Sequence, residues 1–318
     1  MKVGSGRTVG RNRFLGCLVG LACGDAVGTT IEFRPRGFFV PVTDMVGGGP
    51  FDLKPGQWTD DTSMALCLAA SLVEQGGFDP HDQMVRYCKW WEEGYLSSTG
   101  RCFDIGNATR AALSRFRRTG DPFSGSTDPN SAGNGCIMRL APVPMFFFPD
   151  HRAAVRFSGE SSRTTHGAPE CIDACRLFGA MLFKALSGQP KEEILFGDPF
   201  PGWPEPPLSD RTQTIADGVY RGKSEHDIRG SGYVIECLEA ALWCFYHTNS
   251  FREAILRAVN LGDDADTTGA VCGQIAGAFY GKCQIPEKWV QRLTKRDLIE
   301  GLAGRLYEYQ SGNPGAAV

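Results

Sequence analysis

The sequence predicts a single compact all-α domain. Three observations carry that expectation: apolar residues recur at helical spacing over ten segments, alternating strand patterns are scarce, and neither linker composition nor an internal repeat divides the 318 residues. The spacing places helices over 11–24, 62–75, 80–94, 105–118, 150–158, 168–187, 232–248, 250–260, 267–281 and 296–309. Segment 62–75 is apolar nearly all round, which marks a helix buried on every side. The segment from Thr267 carries Gly269, Ala270, Gly273, Ala276 and Gly277, small residues that let a neighbouring helix backbone come close. Three irregular stretches interrupt the helices: 33–58, 119–136, and 196–215 with five prolines from Pro199 to Pro207. Loops this long are often binding loops or lids. On this reading residues 1–12 are an N-terminal extension, 13–310 the domain and 311–318 a flexible tail.

Composition narrows the function. A hydrophobic content of 42% can fill a large core, and a net charge of −3 gives no basic field for tracking a phosphate backbone, so sequence-specific nucleic-acid binding is not expected. The twelve cysteines form no CxxC pair, and several lie in apolar helical runs where a reduced thiol packs as a small hydrophobe. A cytoplasmic location follows as the expectation. Arg7, Arg11 and Arg13 before FLGCLVGLACG resemble the start of a secretory signal, but the apolar run continues into GDAVGTTIEF, which reads as site sequence. No stretch reaches the roughly 18 uninterrupted apolar residues of a membrane span.

The chemistry gathers in two acidic motifs, Thr59-Asp60-Asp61-Thr62 and Asp263-Asp264-Ala265-Asp266-Thr267-Thr268, each just before an expected buried helix. One such motif alone could be capping, since Thr and Asp are good N-caps and carboxylates favour the positive end of a helix. Together they set five carboxylates at the mouths of two core helices, where they repel unless cations neutralise them. Oxygen ligands without His or Cys select Mg²⁺, Mn²⁺ or Ca²⁺ over zinc. An EF-hand is excluded, because that loop of about 12 residues needs a glycine at its sixth position and a closing glutamate.

GLACGDAVGTTIEF, GQWTDDTSMALCLA, SAGNGCIMRLAPV, SSRTTHGAPE, SGYVIECLEAALW and LGDDADTTGAVCGQIAGAFYG resemble, in order, the signature blocks of the ADP-ribosylglycohydrolase family, over about residues 13–309. The resemblance implies a compact orthogonal helical domain whose cleft holds two divalent ions, Mg²⁺ or Mn²⁺, and receives ADP-ribose. It implies Thr59, Asp60 and Asp61 as metal ligands from one side and Asp264, Asp266 and Thr267 from the other, with Asp263 behind them. Glu32, in a GDxxG-x3-E pattern, would be the acidic residue near the scissile bond, and Asp61 and Asp104 join it as candidates for the chemistry. Asp25 would cap or orient rather than ligate. Gly133, Asn134, Gly135, Gly106 and Asn107 would contact the substrate through their backbone or short side chains. Asp104 is a candidate for a cationic leaving group, with a helix N-cap as its plain alternative. His166 would bind rather than catalyse, and Tyr233 would stack on adenine or pack in the core.

The implied activity is hydrolysis of the bond between ADP-ribose and a modified acceptor, arginine on protein first, with ADP-ribose released. Serine-linked, O-acetyl and nucleobase-linked ADP-ribose are alternatives within the family. A non-catalytic ADP-ribose-binding member and a metal-dependent phosphohydrolase are alternatives outside that activity.

Overall fold

The structure, a computed structural model, describes residues 3–202 and 206–310. The tail expected at 311–318 lies outside the described residues. In chain order the helices are α1 (Val3–Gly28), α2 (Asp60–Gln75), α3 (Pro80–Glu93), α4 (Asn107–Thr119), α5 (Pro142–Phe147), α6 (His151–Arg163), α7 (Pro169–Leu186), α8 (Lys191–Phe196), α9 (Asp210–Ala216), α10 (Val234–Tyr246), α11 (Phe251–Val259), α12 (Ala265–Tyr280), α13 (Glu287–Arg292) and α14 (Arg296–Gln310). Among the described residues extended pairing is limited to isolated bridges, one of which joins Gly133 to Tyr233.

The molecule is built around α1 and α12, packed antiparallel and backbone on backbone. Gly16, Gly20 and Gly24 on α1 meet Gly277, Gly273 and Gly269 on α12. A Cβ on Gly24 would fall 2.0 Å from the Gly269 carbonyl oxygen, and one on Gly20 2.3 Å from that of Gly273. Glycine at every fourth position leaves one face of each helix without side chains, so the axes approach as near as backbone atoms permit. The pair ends at the site: the last turn of α1 carries Asp25 and leads to Glu32, and the first turn of α12 carries Asp266.

α2 is buried on all sides, as its composition predicts, and ends at Gly76 in a left-handed cap (φ 65°). α3 starts with Pro80 after Asp79, whose carboxylate accepts the His81 and Asp82 N–H groups. Asp150 and Ser250 cap α6 and α11 in the same manner. A smaller apolar cluster, including Met64, Tyr87, Trp90 and Phe116, joins α2 to α3 and α4.

Several boundaries differ from the sequence expectation. α1 starts at Val3, so its first turns take in most of the stretch read as an extension. Its run FLGCLVGLACG is core, and Arg13 donates to the Ala278, Phe279 and Ala185 carbonyls at the ends of α12 and α7. α6 continues to Arg163, beyond the 158 expected, and α4 begins at Asn107 rather than 105. α5, α8, α9 and α13 went unread, because six or seven residues make fewer than two full turns and show no period. α9 thus occupies the end of the stretch expected to be irregular to residue 215.

Candidate active site

Helices α1, α2 and α12 and the loops before α4 and α10 converge on a cleft of about 500 Å³. Asp25 organises its floor. Fully buried, it accepts hydrogen bonds from Thr59 N–H (2.9 Å) and Oγ1 (3.0 Å) and from Thr62 N–H (3.0 Å) and Oγ1 (2.6 Å). α2 has no side-chain cap of its own, so Asp25 of α1 caps it from outside and fixes the turn carrying Asp60 and Asp61. Burial pushes its carboxyl up to about 6 against the pull of those bonds.

The two acidic motifs meet there. Thr59 Oγ1 stands 3.2 Å from both Asp61 Oδ2 and Asp266 Oδ2, and Thr267 Oγ1 stands 3.3 Å from Asp61 Oδ2. Glu32, Asp104 and Asp266 offer carboxylate oxygens all within 4.8 Å of one another. Burial, then the charges of neighbouring carboxylates, hold Asp60, Asp61 and Asp266 well above the usual carboxylate range. The same causes raise Glu32 to about 10 and Asp104 to about 7.

Three buried oxygens of this group, Asp61 Oδ1, Asp266 Oδ1 and Glu32 Oε2, have no hydrogen-bond partner. Buried acceptors without donors are costly, and carboxylates crowded this closely repel. Both costs are relieved if divalent cations take the free oxygens of Asp61 and Asp266, and carboxylates with threonine hydroxyls are the donor set a hard cation prefers. The residues present therefore fit a metal site.

Asp104 is not a helix cap: Gly106 precedes the first residue of α4, and Asp104 lies two residues earlier, half-buried, with left-handed backbone (φ 55°). It belongs to the acid cluster. Asp263 also has positive φ (54°), but its side chain is exposed. Its backbone does the work: its carbonyl accepts from Phe33 N–H and its N–H donates to the Arg34 carbonyl, both at 2.8 Å, tying the Glu32 loop to the start of α12.

In the turn Gly133-Asn134-Gly135, the Asn134 amide donates to Asp264 Oδ2 at 2.8 Å, and its backbone N–H donates to the Gly232 carbonyl at 3.0 Å. The missing side chains make room first for His166. A Cβ on Gly135 would lie 2.8 Å from His166 Cε1, and one on Gly133 3.3 Å from Nε2.

The His166 tautomer follows from its neighbours. Arg139, which can only donate, gives a hydrogen bond to Thr165 Oγ1 at 2.7 Å, and Thr165 Oγ1 lies 2.8 Å from His166 Nδ1. Among the described residues the Thr165 hydroxyl hydrogen has no acceptor other than Nδ1, so it points there. The ring proton then sits on Nε2, over the two glycines. Burial lowers the imidazole to about 4, so it is neutral at physiological pH.

Tyr233 lines a second hollow of about 810 Å³ that shares Gly133 and Gly232 with the first. Its hydroxyl donates to Glu170 Oε2 at 2.5 Å and accepts from Arg211 at 2.9 Å, leaving it at the hollow's wall rather than in the core. Gly106 and Asn107 open α4 onto the main cleft.

Sequence reasoning missed Arg139, Thr165, Glu170, Arg211 and Phe33. Arg139 and Thr165 lie inside motifs read for other residues, and only the fold shows an arginine, a threonine and a histidine in line. Among the described residues no helix is long and apolar enough to cross a membrane, and all twelve cysteines are free.

The model of the family described as ADP-ribosylglycohydrolase matches residues 7–315. The chain is 45% identical to the ADP-ribosylarginine hydrolase Tri1 of Serratia proteamaculans (strain 568), over 92% of this chain and 78% of that protein. It is 48% identical to the protein of the same name from Pseudomonas putida (strain GB-1), over 93% and 78%. A solved structure titled ADP-ribosylglycohydrolase-related protein complex superposes with a TM-score of 0.84 at 43% identity, covering 95% of this chain and 99% of that one.

Proposed function

The chain belongs to the ADP-ribosylglycohydrolase family, and from that premise we propose that it hydrolyses the bond between ADP-ribose and arginine on protein, releasing ADP-ribose. The observation that carries the reading is the buried acid cluster with three orphaned carboxylate oxygens at the floor of the cleft. The arginine acceptor is supported by relatives at 45% and 48% identity that are named for that linkage.

Thr59, Asp60, Asp61, Asp264, Asp266 and Thr267 would hold two divalent ions, Mg²⁺ or Mn²⁺. Once bound, such ions supply a Lewis-acid grip on ribose hydroxyls and a water of lowered pKa. Asp25 and Asn134 keep the holding residues in place through the hydrogen bonds described above. Once cations neutralise the neighbouring carboxylates that hold its proton on, Glu32, with Oε2 free, would take the proton from the attacking water. Cleavage proceeds through an oxocarbenium-like anomeric carbon: the water oxygen bonds to that carbon and its bond to the guanidino nitrogen breaks. The leaving group enters as a cation and departs as neutral guanidine, which then takes up the proton held at Glu32 Oε2. No separate acid is needed for departure.

For the rest of the substrate, His166 Nε2–H offers a donor to a ligand oxygen, and the open N-terminus of α4 at Gly106 and Asn107 suits the diphosphate. Gly133 and Gly135 bring their backbone close, and Tyr233 offers a ring to the adenine in the adjoining hollow. The free, largely buried thiols support a reducing, cytoplasmic setting.

A panel of arginine-, serine- and nucleobase-linked ADP-ribose, with products resolved by mass, tests the linkage. We expect rapid release of intact ADP-ribose from the arginine-linked member and slow or no release from the others. Preference for a serine or base linkage would overturn the arginine assignment.

A further inference from the structure

The acid cluster lies at one part of the cleft, and the surface beside it is of another kind. Phe33 follows Glu32 in the chain and Phe103 precedes Asp104, and Phe51 joins the two rings. Phe33 and Phe51 meet edge to face with centroids 6.4 Å apart, and Phe51 and Phe103 lie 5.2 Å apart. Phe33 lines the cleft with Glu32 and Asp104, yet it is 63% exposed. It is also held in the left-handed region (φ 63°), where a bulky residue is rarely found, by the hydrogen bond from its N–H to the Asp263 carbonyl. Such strain persists only where the surroundings impose it, and it gathers at ligand sites.

An exposed aromatic ring on a constrained backbone, at the edge of a cleft rich in carboxylates, has the attributes of a cation receptor: a negative π face inside a field that draws positive charge. Asp104, the sequence's candidate for a cationic leaving group, stands within the acid cluster beside Asp266 and lines the same cleft.

We propose that Phe33, backed by Phe51 and Phe103, is the subsite for the guanidinium of the acceptor arginine, which stacks on the ring before the bond breaks. This rests on the reading of the cleft as an ADP-ribosylarginine hydrolase. An uncharged serine linkage gains nothing from a π face, so Phe33 discriminates between acceptors through KM.

Steady-state kinetics on an arginine-ADP-ribosylated peptide, with calorimetric affinity for free ADP-ribose, test this for Phe33→Leu, Phe33→Ala and Phe33→Trp in the full chain. Leucine keeps the apolar surface and loses the π face. We expect Phe33→Leu and Phe33→Ala to raise KM about 3- to 30-fold, Phe33→Trp to hold it at or below wild type, and ADP-ribose affinity to stay unchanged in all three. Phe33 is exposed, so an unaltered melting temperature is expected and verifies the fold. A wild-type KM in Phe33→Leu, or loss of ADP-ribose affinity in step with KM, would overturn the subsite. Failure of the wild type itself to cleave the arginine-linked peptide would instead overturn the activity on which the subsite rests.

Discussion

A chain of three side chains, Arg139 to Thr165 to His166, decides what the cleft can say to a ligand oxygen. Because Arg139 can only donate to Thr165 and the Thr165 hydrogen has no acceptor other than Nδ1, His166 is left as an Nε2–H donor, and burial keeps it neutral. Thr165→Val removes the relay and Thr165→Ser keeps it. The expected outcome is that ¹⁵N NMR of wild type and Thr165→Ser shows the Nε2–H pattern throughout pH 5 to 8, while Thr165→Val shows mixed tautomers and weaker ADP-ribose binding. The sign of the pH effect on stability follows from a folded value near 4 against an ordinary 6.5. Between those values the unfolded chain binds more protons than the folded one, so this group's contribution is intact above pH 6.5 and is lost as pH falls towards 4. A denaturant midpoint that rises with acid in that window in wild type but not in His166→Gln would contradict the assignment. At this scale the sequence shows which residue types hold a metal, because carboxylates before a helix are legible without a fold. The capping or orienting role that the resemblance implied for Asp25 agrees with its bonds to Thr59 and Thr62, but the sequence does not show that Asp104 sits beside Asp266 or that Phe33 faces the cleft, since these depend on contacts between residues distant in the chain.

Among the elements, the α1 and α12 pair sets the distance between Glu32 on one side and Asp266 on the other. Gly24→Ala would drive a methyl to within 2.0 Å of the Gly269 carbonyl oxygen, and neither helix can yield without moving one acidic motif from the other. We expect a loss of at least about 1–3 kcal/mol together with a fall in activity, read from urea unfolding and turnover. Gly301 gives the contrast: it lies inside α14 with open space around it, so Gly301→Ala should stabilise by about 1 kcal/mol and leave turnover unchanged. Equal effects from the two substitutions would mean that glycine acts here through backbone freedom and not through close approach. The small residues after Thr267 made half of this interface legible in the sequence. The matching glycines at 16, 20 and 24 were hidden by their likeness to a secretory run, and α5 and α13 were too short to show a period.

At the scale of the whole molecule, the acid cluster is a local instability held in place by the packing around it. Cations that bind only the folded state should stabilise it by about 2.7 kcal/mol at a hundredfold excess over Kd, a rise of roughly 5 °C for a chain of this size. Asp266→Asn should lose that response while melting at or above the metal-free wild type, because it removes one of the repelling charges. A variant still stabilised by Mg²⁺ or Mn²⁺ to the wild-type extent would place the cations elsewhere. The most direct test of the central claim is mass analysis of what leaves an arginine-ADP-ribosylated protein treated with wild type or Asp60→Ala, in EDTA and after return of Mg²⁺ or Mn²⁺. The account predicts intact ADP-ribose and restored arginine from wild type with metal, and orders of magnitude less with EDTA or Asp60→Ala. Near-normal turnover by Asp60→Ala, or release of AMP or phosphate in place of ADP-ribose, would contradict it.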